Sequence, residues 1–187
     1  KLLLFKACDV AVLNKDSQYY EDFLNKCVDA KKVISFSSKG LDADYRACDI
    51  NAKNGVLEFN IVYHDASRDT DEPVRKSNFI ILSSGEFNID NALLATSIGS
   101  ELNVPYEDMK EALYNVKVPG RMEVVKSRGG RIAIVDFAHN KLSFIKLFEA
   151  VKKEYPDKKI AIVFGTPGGK AYDRRALMGM IAAENAD

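Results

Sequence analysis

Val118 to Asn140 reads VPGRMEVVKSRGGRIAIVDFAHN. A Pro-Gly turn and an arginine close one block of sequence. A short hairpin-like connection follows, and then an apolar run that ends in Asp136, His139 and Asn140. A buried strand that ends in polar side chains just before a helix is where an α/β protein presents groups to a ligand. This stretch also divides the chain into two parts with different patterns.

After it, the pattern predicts strand Arg131–Phe137, helix Leu142–Tyr155, strand Lys159–Gly165 and helix Arg174–Asn185. Both strands are continuous apolar runs, which suits a parallel sheet covered on both faces. The alternation predicts a right-handed βαβ unit. Before it, Asp9–Leu13 and Lys31–Phe36 read as strands. A helix between them carries Tyr20, Phe23, Leu24 and Cys27. From Ala43 to Leu82, alternation around Phe59, Ile61 and Tyr63 predicts antiparallel strands, with Asp65–Pro73 an exposed loop. Leu94, Ile98 and Leu102 then mark the apolar face of one helix, and Pro105 begins another that carries Met109, Leu113 and Val116. The fold class expected is α/β, with a domain boundary at Val118–Arg121.

Composition narrows the function. Of 187 residues 47% are hydrophobic, enough for a real core. Lys+Arg and Asp+Glu both number 27, and this balance argues against a general nucleic-acid binder. No apolar run is long enough to span a bilayer, and no signal peptide is visible. Cys8, Cys27 and Cys48 are odd in number and widely spaced, which reads as reduced thiols in a cytoplasmic protein. With only His64 and His139, a site of three histidines is excluded. The abrupt ends read as those of a piece of a longer protein.

Several residues are candidates for chemistry. Arg121, after Pro119-Gly120, is placed to grip phosphate; a surface arginine paired to a carboxylate is the other reading. Asp136 would bond ribose hydroxyls or only its own loop. His139 would touch a nucleotide or shuttle a proton. Asn140 is also a natural helix cap. Gly165-Thr166-Pro167-Gly168-Gly169-Lys170 is a glycine-rich loop before a helix, made cationic by Lys170, Arg174 and Arg175. It lacks the spacing of a Walker A loop. Asn88 and Asn91 lie three apart at a helix start, where one would serve as the N-cap. His64 reads as structural or exposed, and Glu107-Asp108 as complements of a helix dipole.

FNIDNALLA (Phe87–Ala95), VPGRMEVV (Val118–Val125), IVDFAHN (Ile134–Asn140) and RRALMGMIAAENAD (Arg174–Asp187), in that order, resemble the Mur ligase family, above all its muramyl-tripeptide synthetases. The resemblance implies residues 1–119 as the later part of an ATP-binding central domain with an antiparallel subsheet. It implies 120–187 as the first part of a Rossmann-like C-terminal domain. It also implies a cytoplasmic, monomeric parent enzyme of peptidoglycan synthesis whose substrates are ATP, a UDP-N-acetylmuramoyl-dipeptide and a free amino acid. There Asn88 and Asn91 would lie by the base, Arg121 by phosphates or ribose, Asp136 by ribose, and His139 and Asn140 along the same nucleotide. Lys170 and Arg175 would come from the closing domain. Lys1 would be the carbamylated lysine that holds magnesium, an anionic oxygen donor of the kind this ion takes. The phosphate-binding loop would precede Lys1, so the piece alone is expected to be inactive. The Asp-Arg-Asp of many members is replaced by Gly169-Lys170-Ala171. Folylpolyglutamate synthase, with a similar Pro-Gly-Arg and Ala-His-Asn, is the nearest alternative. A non-catalytic nucleotide-binding module is another.

Overall fold

The computed structural model describes all residues other than 1, 54, 64–73, 167–168 and 170–171. The chain forms two compact units. One comprises Lys1–Ala52, Val56–Leu82 and Glu86–Val116; the other comprises Lys53–Gly55, Ser83–Gly85 and Lys117–Asp187.

The first unit opens with a 3-10 helix, Leu2–Ala7. Strands β1 (Val10–Asn14), β2 (Lys32–Ser37), β3 (Tyr45–Lys53), β4 (Val56–Tyr63) and β5 (Val74–Ile81) build one sheet in sequential order. β1, β2 and β3 run parallel, with Val12 beside Ile34 and Phe36 beside Tyr45, while β4 and β5 pair antiparallel. The alternation expected of β4 is present: Leu57, Phe59, Ile61 and Tyr63 are buried, and Glu58 is exposed. Helix α1 (Tyr20–Leu24) is a single short turn, and Cys27 lies beyond it in a small cluster with Ala11 and Leu13.

Helix α2 (Phe87–Glu101) packs on β1 and β2, and α3 (Tyr106–Asn115) packs on β5. Of Leu94, Ile98 and Leu102, only Leu94 packs against the core, and the fully buried face of α2 is another. That face is Ile89, Ala92, Leu93, Thr96 and Ser97, while Ile98 and Leu102 are exposed. The helix is apolar on several sides, so small side chains decide which side approaches the sheet. The Ser97 hydroxyl satisfies itself on the Leu93 carbonyl at 2.7 Å. Gly99 has no room for a Cβ, which would stand 2.5 Å from Met109 Sδ. The sheet core is heavily aromatic. Tyr63 stacks on Tyr45 and on Tyr106, and Phe59 stacks on Phe79.

The second unit contains β6 (Glu123–Lys126) paired antiparallel with β7 (Ile132–Val135), then α4 (Lys141–Glu154) and α5 (Tyr172–Asn185). Its core is Phe144, Phe148, Met178, Ile181 and Ala182. The strand expected at Lys159–Gly165 is absent, and with it the expected βαβ pairing. Ile160 and Ile162 still pack on the helices. The backbone of Ile160, however, is bonded elsewhere: its N–H donates to the Asp187 carboxylate at 2.8 Å, and its carbonyl accepts the Asp187 N–H at 2.9 Å. The other side of the run faces solvent, with Val163 fully exposed. The expected loop at 65–73 and His64 lie outside the described residues.

Candidate functional site

In the second unit, the turn before β6 and the end of β7 form one group. Gly120 and Met122 both adopt positive φ, 68° and 47°. A glycine takes that conformation at little cost, whereas a methionine does not. Two contacts hold Met122 there. Its side chain is buried, and its N–H donates to Asp136 Oδ2 at 2.9 Å. The other oxygen, Oδ1, accepts the Ala138 N–H at 2.8 Å. Asp136 therefore ties the Pro-Gly turn to the end of β7, and each of its oxygens retains a lone pair for a ligand. The loop reading of Asp136 is realised, and it leaves room for a second role.

The same turn displays Arg121. Its guanidinium lies over the Phe137 ring, 5.0 Å from the centroid, and the ring itself is exposed. His139 packs beside that ring at 4.9 Å, and its Nδ1 is 2.9 Å from the Phe137 carbonyl oxygen. Arg121, Phe137 and His139 thus form an exposed cationic and aromatic shelf next to Asp136. Planar stacking with a guanidinium is suited to a flat heterocycle and to phosphate oxygens. The sequence reading did not single out Phe137; its place between two polar candidates was the available signal.

Asn140 caps α4. Its side-chain oxygen accepts the Ser143 N–H at 3.0 Å, and the Ser143 hydroxyl accepts the Asn140 N–H at 3.1 Å. This reciprocal box fixes where α4 starts, and so where His139 stands. Arg175 stacks on Tyr172 of its own helix, 4.5 Å from the ring centroid. Lys170 lies outside the described residues, as does Lys1.

Asn88 and Asn91 belong to the first unit. Neither is the N-cap of α2, a position held by Glu86, whose side chain does not cap the helix. They bond each other instead, Asn91 Nδ2 donating to Asn88 Oδ1 at 3.2 Å, and both amides stand in the opening turns of the helix. Beside this start lies a polar cluster. Asp16, past the carboxyl end of β1, accepts the Ser37 hydroxyl at 2.7 Å and the Ser38 N–H at 2.8 Å. Asp90 of α2 lies near it, and burial and the Asp16 charge raise its pKa. The carboxyl ends of parallel strands are where such folds place ligands.

A magnesium ion has no described ligand set: Lys1 is outside the described residues, and among these no three His, Cys, Asp or Glu side chains are grouped to hold a metal. No helix of the described residues is long and apolar enough to cross a membrane.

Residues 120–187 match the family described as Mur ligase, glutamate ligase domain. The UDP-N-acetylmuramyl-tripeptide synthetase of Borreliella burgdorferi is 30% identical over 188 residues, covering 97% of this chain and 34% of that protein. A solved UDP-N-acetylmuramoyl-L-alanyl-D-glutamate–2,6-diaminopimelate ligase superposes with a TM-score of 0.62 at 23% identity, over 98% of this chain and 37% of that one. The folylpolyglutamate synthetase of Lactobacillus casei superposes with a TM-score of 0.68 at 15% identity, over 94% and 40%. The chain is an α/β protein with the fold of these ligases, and its residues 120–187 carry the Mur ligase match. Its relatives along most of its length are the UDP-N-acetylmuramyl-tripeptide synthetases and related Mur ligases. It spans about a third of the length of those relatives.

Proposed function

We propose that this chain is part of an ATP-dependent ligase that adds an amino acid to a UDP-N-acetylmuramoyl-dipeptide in peptidoglycan synthesis. Residues 1–119 would be the later part of its ATP-binding domain, and 120–187 the first part of its C-terminal domain. The observation that supports this most is the turn joining Arg121 to Asp136, in a segment that matches the glutamate ligase domain.

In such a reaction the substrate carboxylate attacks the γ-phosphorus of ATP, and ADP leaves. The amine then attacks the acyl phosphate and expels phosphate. Phosphoryl transfer relies on positioning and on stabilising phosphate charge. Arg121 would supply that charge, released from Phe137 or still stacked on it. Asp136 would accept a ribose hydroxyl with the lone pairs its loop leaves free. His139 and Asn140 would border the nucleotide, Asn88 and Asn91 would read the base through their amides, and Lys170 and Arg175 would add positive charge. Lys1, as a carbamate, would give magnesium one anionic oxygen.

The full-length parent should release phosphate from ATP only when UDP-muramyl-dipeptide and amino acid are both present. Arg121→Ala should lower turnover about ten- to a hundredfold, the worth of one charge-assisted contact of roughly 1.5–3 kcal/mol. Equal turnover on a folate substrate would move the assignment to the folylpolyglutamate synthases, whose fold this chain shares. The 187-residue chain alone should show no ligase turnover.

A further inference from the structure

We propose that Met122 is a positioning residue: its left-handed backbone conformation aims the Arg121 guanidinium onto Phe137, beside Asp136. The worth of that aim in turnover rests on the function proposed above; the aim itself does not.

The hydrogen bonds of the turn show where its positive charge comes from. Three successive N–H groups beside left-handed residues are the makings of an anion cradle. Here all three are taken. The Gly120 N–H donates to Glu123 Oε2 at 3.1 Å, the Arg121 N–H to the Val118 carbonyl at 3.1 Å, and the Met122 N–H to Asp136 Oδ2 at 2.9 Å. From Gly120 to Met122 the backbone is committed to its own fold, and the Arg121 side chain is what remains to meet an anion. Its direction decides what the turn does.

That direction is set by the two peptide groups flanking Arg121. The one before it is held by the bond to Val118, and the one after it by the bond to Asp136. With both planes held, the Cα–Cβ bond of Arg121 has one orientation. It carries the side chain to Phe137, where the guanidinium stands 5.0 Å from the ring centroid. Immediately past Met122 the chain is fixed again, because Glu123 pairs with Val135 in the β6–β7 ladder. Met122 therefore joins two fixed frames, and its φ of 47° is the rotation that lets both stand. An ordinary negative φ at Met122, with β6 in place, would turn the Arg121–Met122 peptide away from Asp136 and swing Arg121 off the ring.

A glycine would take this conformation freely, and would leave it as freely. Methionine resists it, so the residue stays there only while its surroundings over-determine it. The side chain, 3% exposed, and the bond to Asp136 do so together. Burial of Met122 thus makes an unfavourable conformation a fixed one, and a fixed conformation here is a fixed guanidinium.

The test compares two isomers at this position. Leucine and isoleucine are made of the same atoms, but isoleucine branches at Cβ, which positive φ does not tolerate. A packing role would be served by either. In NMR spectra of the 187-residue chain, the Phe137 ring should shift the Arg121 side-chain protons upfield, with Phe137→Leu as the unshifted reference. Met122→Leu should keep that shift and the slow exchange of the residue-122 amide. Met122→Ile should lose both while the Phe144 and Phe148 signals of the second unit's core stay unchanged. If Met122→Ile does not fold, Met122→Val, smaller and likewise branched, takes its place.

Kinetics of the parent give the second readout. Met122→Ile should lower turnover about three- to tenfold, less than Arg121→Ala, because the charge is displaced and not removed. In an Arg121→Ala background it should lower turnover no further, since Met122 acts through Arg121. Leucine and isoleucine variants that behave alike, with Arg121 shifted in both or in neither, overturn the proposal. So does an undiminished effect of Met122→Ile when Arg121 is already gone. A parent that does not turn over ATP refutes the function proposed above alone, and the NMR comparison still decides whether Met122 aims Arg121.

Discussion

The two units of this chain bury their apolar residues on different scales. In the five-stranded sheet, Phe59, Phe79, Ile61, Leu57, Ile89 and Leu93 are almost wholly enclosed between strands and helix α2. In the other unit, β6 and β7 keep mostly exposed or half-buried residues, and the closed core is a seam between α4 and α5. The sheet is held by packing. The turn that displays Arg121 is held by a few directional bonds, chiefly those of Asp136. Packing is distributed over many contacts, whereas a tie of two hydrogen bonds fails when one side chain is changed.

Three substitutions put that contrast at risk, and the largest effect belongs to the sheet. Phe79→Ala removes a ring with no solvent exposure, packed on Phe59 and Tyr106. It should cost about 3–5 kcal/mol in chemical denaturation. A loss under 1 kcal/mol, roughly that of a surface change, would mean that the sheet is not the packed element described.

Asp136→Ala comes next. It strips acceptors from the Met122 and Ala138 N–H groups and removes what holds Met122 at positive φ. Two lost bonds to a charged group should cost about 2–4 kcal/mol if both N–H groups stay buried, and less where water reaches them. The signature should be local: hydrogen exchange at Met122 and Ala138 should accelerate while α2 stays protected. Uniform acceleration across the chain would erase the distinction between directional tie and distributed packing.

The smallest effect is Asn140→Ala. Loss of the cap on α4 should cost about 1 kcal/mol, with Asn140→Ser recovering most of it. A neutral result would show that the helix start is fixed by Phe144 and Phe148 rather than by its cap.

The same contrast explains what could be read in advance. β4 was legible because alternating residues at Leu57, Phe59, Ile61 and Tyr63 meet a single core, so period and burial coincide. The buried side of α2 was only partly so, because large side chains at Ile98 and Leu102 compete with small ones at Ala92, Thr96 and Ser97. Close approach to a sheet favours the small ones. The run Ile160–Phe164 has the composition of a strand, but composition does not state which backbone will pair with it. Here the Asp187 carboxylate and N–H take the Ile160 peptide. At the site, Arg121 and Asp136 stood out because charges at strand ends are few. Phe137 and Asp90 did not, since an aromatic in a loop or an acid in a first helical turn has an ordinary explanation. Only three-dimensional neighbours distinguish them: a guanidinium above Phe137, and a second carboxylate near Asp90.

The open side of Ile160–Phe164 bears on how this polypeptide behaves in a tube. Ala161 and Val163 present aliphatic surface to water, along backbone with no ladder among the described residues. Short extended runs rich in isoleucine, valine and phenylalanine, uncharged and free of proline, are the ones that recruit like strands from other molecules. Ile160–Phe164 is such a run of five residues, and it is expected to favour self-association. Val163→Lys should lower self-association in concentrated solution, as read by light scattering, without disturbing the α4–α5 core.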